Sequence, residues 1–306
     1  ATPQGVQAYA LTWAAPYRVG CMSITTAFAA GYDPAFCASP CELTRPSPLF
    51  ASPASRLFEA TGWRPTMALA GLDFESVKAL IDRGLAADET RPPGTAYLVE
   101  TSDTRRSVRA RGFDRVRATL GSALRIEHIK ADALTGKPDV LFYITGAVSV
   151  PDIDTNRYRP GAVADHLTSS GGRLTDSRQM SSLRWLEAGA TGSYGAVVEP
   201  CNFPSKFPDP GVLIAAYVTG ATLIEAYWKS VEMPGQGIFI GEPLARPFGG
   251  QEVSDAGDAW ELTTHALTPG VYRLEGAADP MGPYRTLGSF QRPGLDRLTL
   301  RLPKDG

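Results

Sequence analysis

The chain reads as an α/β protein with a small C-terminal β module, and three observations carry that reading. Apolar runs of strand length alternate with segments of helical apolar spacing as far as Gly241, the pattern of βαβ units and a largely parallel sheet. After Pro247-Phe248-Gly249-Gly250 the period changes to apolar–polar alternation, the signature of half-buried antiparallel strands. Between these, Asp165-His166-Leu167-Thr168-Ser169-Ser170-Gly171-Gly172 crowds small and hydroxyl residues at the end of one apolar segment. In open α/β sheets the carboxyl ends of strands are where ligands sit.

Taken in order, Val6 to Trp13 predicts a buried strand and Ser23 to Ala30 a short apolar helix, followed by a cysteine loop and a Pro/Ser-rich stretch. Met67 to Gly71 predicts a second short strand. Asp73 is placed to cap a helix whose Val77, Leu80 and Ile81 share a face and which stops near Gly84. Thr95 to Glu100 is a strand, and Ser107 to Leu120 a helix whose arginines form a solvated face. Asp139 to Val150 contains the most hydrophobic strand, ending at Gly146-Ala147. A short helix near Leu183-Arg184-Trp185-Leu186 precedes a second apolar segment that ends on Glu199-Pro200-Cys201. Helices over about 212–218 and 222–231 follow, the latter opened by a Thr222/Glu225 capping box. Gly237 to Gly241 is a further strand, ending at Glu242. The β module spans 251–306, with strands at Trp260 to Thr264, Gly270 to Glu275 and Leu298 to Leu302.

At 306 residues the chain is long enough for one large domain, residues 1–248, beside the small module. A formal charge of −2 gives no general reason to expect nucleic acid or an anionic membrane as a partner, and no apolar run approaches the roughly 18 residues of a membrane span. The start at Ala1, without Met, suggests a mature, trimmed or processed form. The four cysteines allow three disulfide connectivities. Cys37 and Cys41 could close a small loop and leave Cys21 with Cys201, which would place the protein outside the cytoplasm. Free thiols are the competing reading. A metal is not expected, because the spacing lacks paired C-x-x-C motifs and only His166 is placed to help; no cofactor is implied.

His166 and Cys201 are the candidate catalytic pair, since an imidazole in reach can hold a thiol as thiolate. Against it stands an oxidised Cys201 and a hydrogen-bonded His166. Ser169, Ser170 and Gly171 could line a cleft and offer amides to an oxyanion. Gly192-Ser193-Tyr194-Gly195 is not a nucleophile elbow, and its glycines are read as tight strand packing, with Ser193 and Tyr194 at the cleft. Glu242 is read as lining the same cleft, another strand-end carboxylate. Asp152 and Asp154 are read as turn residues rather than calcium ligands, and His128 and His265 as surface residues.

The segments Ala164 to Gly172, Trp185 to Gly195, Glu199-Pro200-Cys201-Asn202 and Gly241 to Phe248 resemble a family of uncharacterised bacterial proteins found in genomes with the exosortase protein-sorting system. Leu11-Thr12-Trp13, Pro16-Tyr17-Arg18-Val19 and Glu225 to Val231 look like the same family, so the likeness covers about residues 7–248. The family usually has a further N-terminal βα segment, which this chain lacks. The layout is similar, more distantly, to gingipain-like and caspase-like cysteine peptidases, implying a three-layer, mostly parallel sheet. Those enzymes place His-Gly after one strand and Cys after the next. One register puts Gly146-Ala147 at the His position and Ser169 or Ser170 at the Cys position, which implies a secreted pseudo-peptidase acting in binding or assembly. Its partner would be a protein or peptide, or a second copy. Shifting one strand makes His166 the base, Cys201 the nucleophile and Glu199 or Asp165 the orienter of a cysteine peptidase or acyl-transfer enzyme.

Overall fold

A computed structural model describes residues 10–11, 22–31, 33–36, 41–54, 57–264, 266–267, 269–279, 281–294 and 297–304. It opens with β1 (Ala10–Leu11) paired antiparallel to β2 (Met22–Ser23), and α1 (Ile24–Ala30) follows directly. The Ser23 hydroxyl accepts from the Thr26 amide, satisfying one of the free donors at that helix start. Most of the strand expected over Val6 to Trp13 lies outside the described residues. After α2 (Leu57–Thr61), the strand expected at Met67 to Gly71 is reduced to one parallel bridge between Ala68 and Ile240. Asp73 caps α3 (Phe74–Ala87), its carboxylate accepting from the Ser76 amide at 2.7 Å. This helix runs a turn past Gly84, because Gly84 packs flat against Glu242 and does not end it.

The central sheet is built from β3 (Thr95–Glu100), β4 (Arg125–Lys130), β5 (Val140–Gly146), β6 (Tyr158–Leu167), β7 (Gly192–Ala196) and β8 (Gly237–Gly241). Its order is β4-β3-β5-β6-β7-β8; the first five run parallel and β8 is antiparallel to β7. The protein is therefore α/β with a six-stranded, mostly parallel sheet. Strand β4 was not anticipated: Arg125-Ile126-Glu127-His128-Ile129-Lys130 is too polar to read as buried, and it stands at the edge.

Alternation along the strands sends side chains to two separate cores. Ala96, Leu98, Phe142, Ile144 and Val163 face α4 (Phe113–Leu120), α6 (Pro210–Val218) and α7 (Leu223–Ser230). Tyr97, Val99, Tyr143 and Ala164 meet Trp185 of α5 (Leu183–Glu187) on the other side, where Leu80 of α3 also packs. Helices thus cover both faces, which is why β5 is buried along its whole length. Residues 107–112 ahead of α4 wind as a 3₁₀ turn, and the expected solvated arginine face is broken there by Arg109, which is only 6% exposed. Its partner, Asp165, supplies the reason.

From Gln251 on, the chain forms separate antiparallel sheets. One is β13-β10-β9, from β9 (Gln251–Asp255), β10 (Ala259–Thr264) and β13 (Leu298–Pro303); the other pairs β11 (Gly270–Gly276) with β12 (Arg285–Arg292). No helix among the described residues is long and apolar enough to cross a membrane.

Candidate functional site

Asp165 and His166 are adjacent in sequence and therefore point to opposite faces of β6. Asp165, 1% exposed, meets the Arg109 guanidinium at 2.6 Å. Arg109 also donates to the carbonyls of Thr145 and Pro208, at 2.6 and 3.1 Å. Burial pushes the Asp165 carboxyl up, and the Arg109 charge opposes that shift. Asp165 is thus committed to a buried ion pair beneath α4 and α6 and does not orient His166.

On the other face, the Trp185 indole N–H donates to His166 Nδ1 at 2.9 Å. That leaves the proton on Nε2, which donates to the Met180 carbonyl at 3.1 Å. Burial pulls the His166 pKa down to about 4, helped by the Arg109 and Arg106 charges and opposed by the Met180 bond. The imidazole is neutral and both nitrogens are occupied. A depressed pKa carries a sign for stability: the unfolded chain binds the extra proton first, so stability falls as pH drops from 6.5 through about 4. At about 1.4 kcal/mol per pH unit the full loss is about 3.5 kcal/mol. In His166→Gln, urea unfolding should lose much of that pH slope; equal slopes in both proteins would remove the assignment.

Cys201 is bonded to Cys41, across 160 residues, with a Cα–Cα distance of 5.0 Å. This corrects the small Cys37–Cys41 loop and, with it, the Cys21–Cys201 pairing; Cys21 and Cys37 themselves lie outside the described residues. The fold brings the 41–54 strap back against the loop after β7, which sequence proximity could not reveal. Lys206, absent from the sequence reading, helps hold it there. Its buried ammonium donates to the Glu42 carbonyl and lies over the Phe203 ring. Glu199 is exposed and accepts from the Cys201 amide at 2.8 Å, a turn contact. In this covalent state Cys201 offers no thiolate.

The segment 168–172 closes over the end of β7. Gly172 donates to Ala196 O at 2.8 Å, and Ser170 N–H donates to Gln179 Oε1 at 2.7 Å. Those two amides are spent, so they are not free for an oxyanion. Gly172 and Gly195 pass so closely that a Cβ on either would strike the other's backbone. Thr168 joins the same knot, donating to Gln179 and accepting from Arg106 Nε at 3.2 Å. Ser169 and Ser170 remain half-buried at the strand end, and Gly171 is buried beside them.

Three expected cleft residues belong elsewhere. Ser193 and Tyr194 are buried, and the Tyr194 phenol donates to Lys206 O at 2.6 Å within an aromatic cluster with Phe207 and Phe239. Glu242 ends β8, but β8 is reversed, so Gly241 pairs with Gly192 at the start of β7. Its carboxyl, pushed up by burial, faces Gly84 at the other end of the sheet. His128 is also no surface residue: its side chain is 9% exposed, bonded to Asp114 and Glu100 at 3.0 and 3.1 Å. His265 lies outside the described residues. Asp152, with a left-handed φ of 59°, opens the turn at Ile153–Thr155, and Asp154 pairs with Arg184.

What remains at adjacent parallel strand ends is Gly146-Ala147 after β5 and Thr168-Ser169-Ser170 after β6. A Cβ at Gly146 would collide with the Arg106 carbonyl, so that position has room for glycine alone. Beside them opens a depression of about 390 Å³ lined by Ser149, Ser177, Ser181, Arg173, Arg178 and Arg184. Gln179 and Met180 line it too and join it to Ser170 and His166. Arg173 is already paired with Asp176 and Arg184 with Asp154 and Glu187, so the hydroxyls and Arg178 are what the depression offers a polar or anionic group; it presents no activated nucleophile. Comparison with protein-family models, with curated proteins and with solved structures gave no match.

Proposed function

We propose that this chain is an exported, non-catalytic binding or assembly protein of caspase-like type, a pseudo-peptidase that keeps a strand-end crevice. The observation that carries the reading is the covalent state of Cys201, bonded to Cys41 while both nitrogens of His166 are engaged by Trp185 and Met180. The mostly parallel sheet with helices on both faces is in keeping with the caspase-like layout. So are the strand ends, where glycine and serine stand in place of histidine and cysteine. A disulfide is at home in an oxidising compartment, which supports export. The family resemblance directs the role toward the cell envelope or exopolysaccharide functions linked to exosortase.

Alkylation of the untreated protein with iodoacetamide near neutral pH tests the reading, followed by peptide mapping and a casein-hydrolysis assay with and without mild reductant. The expected outcome is an unlabelled Cys201 and no hydrolysis in either condition. Rapid labelling of Cys201 together with hydrolysis that disappears in Cys201→Ser would establish the His/Cys peptidase instead.

A further inference from the structure

We infer that the helical face opposite the strand-end crevice carries a docking groove for an extended partner segment that combines apolar and acidic side chains. The groove encloses about 1420 Å³ between the helical layer, Phe50 to Pro53 of the strap, and Ala266, Leu267 and Tyr272 of the β module; this is above the roughly 300–1,000 Å³ typical of small-molecule sites, so a stretch of polymer suits it better than a metabolite. Its apolar wall includes Val108, Val116 and Leu120 beside Val212, Ala215 and Ala216 of α6. Val108, Val212, Ala215 and Ala216 are only half-buried in the chain alone.

Charge selects the occupant. The lining holds five basic residues, Arg109, Arg111, Arg115, Lys229 and Arg246, against three acidic ones, Asp209, Glu225 and Glu232. Two of the carboxylates already serve as helix caps: Asp209 accepts from the Val212 amide and Glu225 from the Thr222 amide, both at 2.9 Å. Three of the cations are likewise engaged, Arg109 by Asp165, Lys229 by the Ala54 carbonyl and Arg246 by the Gly220 carbonyl. Arg111 and Arg115 are exposed, stand one helical turn apart, and have no ion pair among the described residues. Two open guanidiniums beside an apolar wall match carboxylates spaced along an amphipathic segment, with the apolar contacts supplying affinity and the charges the register. This surface is distinct from the crevice of the proposed function, and its occupancy does not depend on that reading.

Selection of short random peptides displayed on phage against the intact chain tests it, with Arg111→Glu/Arg115→Glu as the counter-target. Both side chains are exposed, and an unchanged thermal transition verifies the fold of the variant. The expected peptides pair Asp or Glu with Leu, Ile or Phe. Synthetic copies should bind about ten-fold more weakly to the variant and lose affinity as salt rises. A copy with Lys in place of its acidic residues should prefer the variant. Recovery of no binding peptide, of peptides lacking acidic residues, or of peptides indifferent to the double substitution overturns the inference. So does inorganic polyphosphate that binds as tightly as the peptides at equal charge, since the apolar wall would then play no part.

Discussion

Arg109→Met is expected to destabilise the protein by about 3–5 kcal/mol, because it leaves the Asp165 carboxylate buried without a counter-ion. The same substitution abandons the Thr145 and Pro208 carbonyls, which Arg109 ties to the helical layer. Asp165 then fixes the pH dependence. Its carboxyl is already pushed up by burial, and without Arg109 it rises further above the unfolded value of 3.8. A raised carboxyl stabilises the fold below the unfolded pKa and loses that stability as pH rises, so the deficit of Arg109→Met should be greatest at neutral pH and shrink on acidification. Arg109→Met/Asp165→Leu, which removes both charges, should lose less than the sum of the single variants. Urea midpoints at pH 7 and below pH 4 provide the measurement. A single-variant loss under about 1 kcal/mol at pH 7 would show that the pair does not hold the fold.

Opening the Cys41–Cys201 bridge is the second large effect, expected to cost about 2–5 kcal/mol, since it releases a closed loop spanning 160 residues. The strap it anchors carries Leu49 into the core and bonds to the helical side through Ser47 N–H to Glu232 O and Ala51 N–H to Lys229 O. Those contacts, with Lys206 on Glu42, should keep the strap folded over most of its course. Cys41→Ser, Cys201→Ser and the double variant should therefore unfold at nearly the same denaturant concentration, below the parent. Non-reducing peptide mapping should recover Cys41 joined to Cys201. A peptide joining Cys37 to Cys41 would contradict the arrangement, as would a parent midpoint insensitive to reductant.

Local signals carried much of the secondary structure. Asp73 before an amphipathic run, Thr222 three residues ahead of Glu225, and the apolar run from Val140 to Ile144 each state their element, because caps and burial act over one turn or one strand. Met67 to Gly71 misled because an apolar run alone does not pair a strand: only Ala70 of it is buried, Leu69 is exposed, and only Ala68 finds a ladder partner. Strand β4 escaped notice because an edge strand tolerates charge, and its pairing with β3 supplies what its composition does not.

The candidate site divides along the same line. The order of apolar segments and small residues pointed to neighbouring strand ends near 166 and 201; the ends near 146 and 168 were implied only by the peptidase-like register, and the parallel pairing of β5 with β6 is what sets them side by side. Even the separation of Asp165 from His166 is implicit in the two-residue period of a strand.

By itself, then, the sequence determined an α/β chain with a mostly parallel sheet, its principal helix caps and a polar, glycine-rich strand end, since each depends on residues close together in the chain. Only the tertiary structure decided that Cys201 joins Cys41, that Arg109 turns inward to Asp165, that burial keeps His166 neutral while Trp185 occupies its Nδ1, and that the reversal of β8 carries Glu242 away from the crevice. Each of these joins residues distant in sequence, and such partners are chosen by how the layers pack rather than by any local pattern.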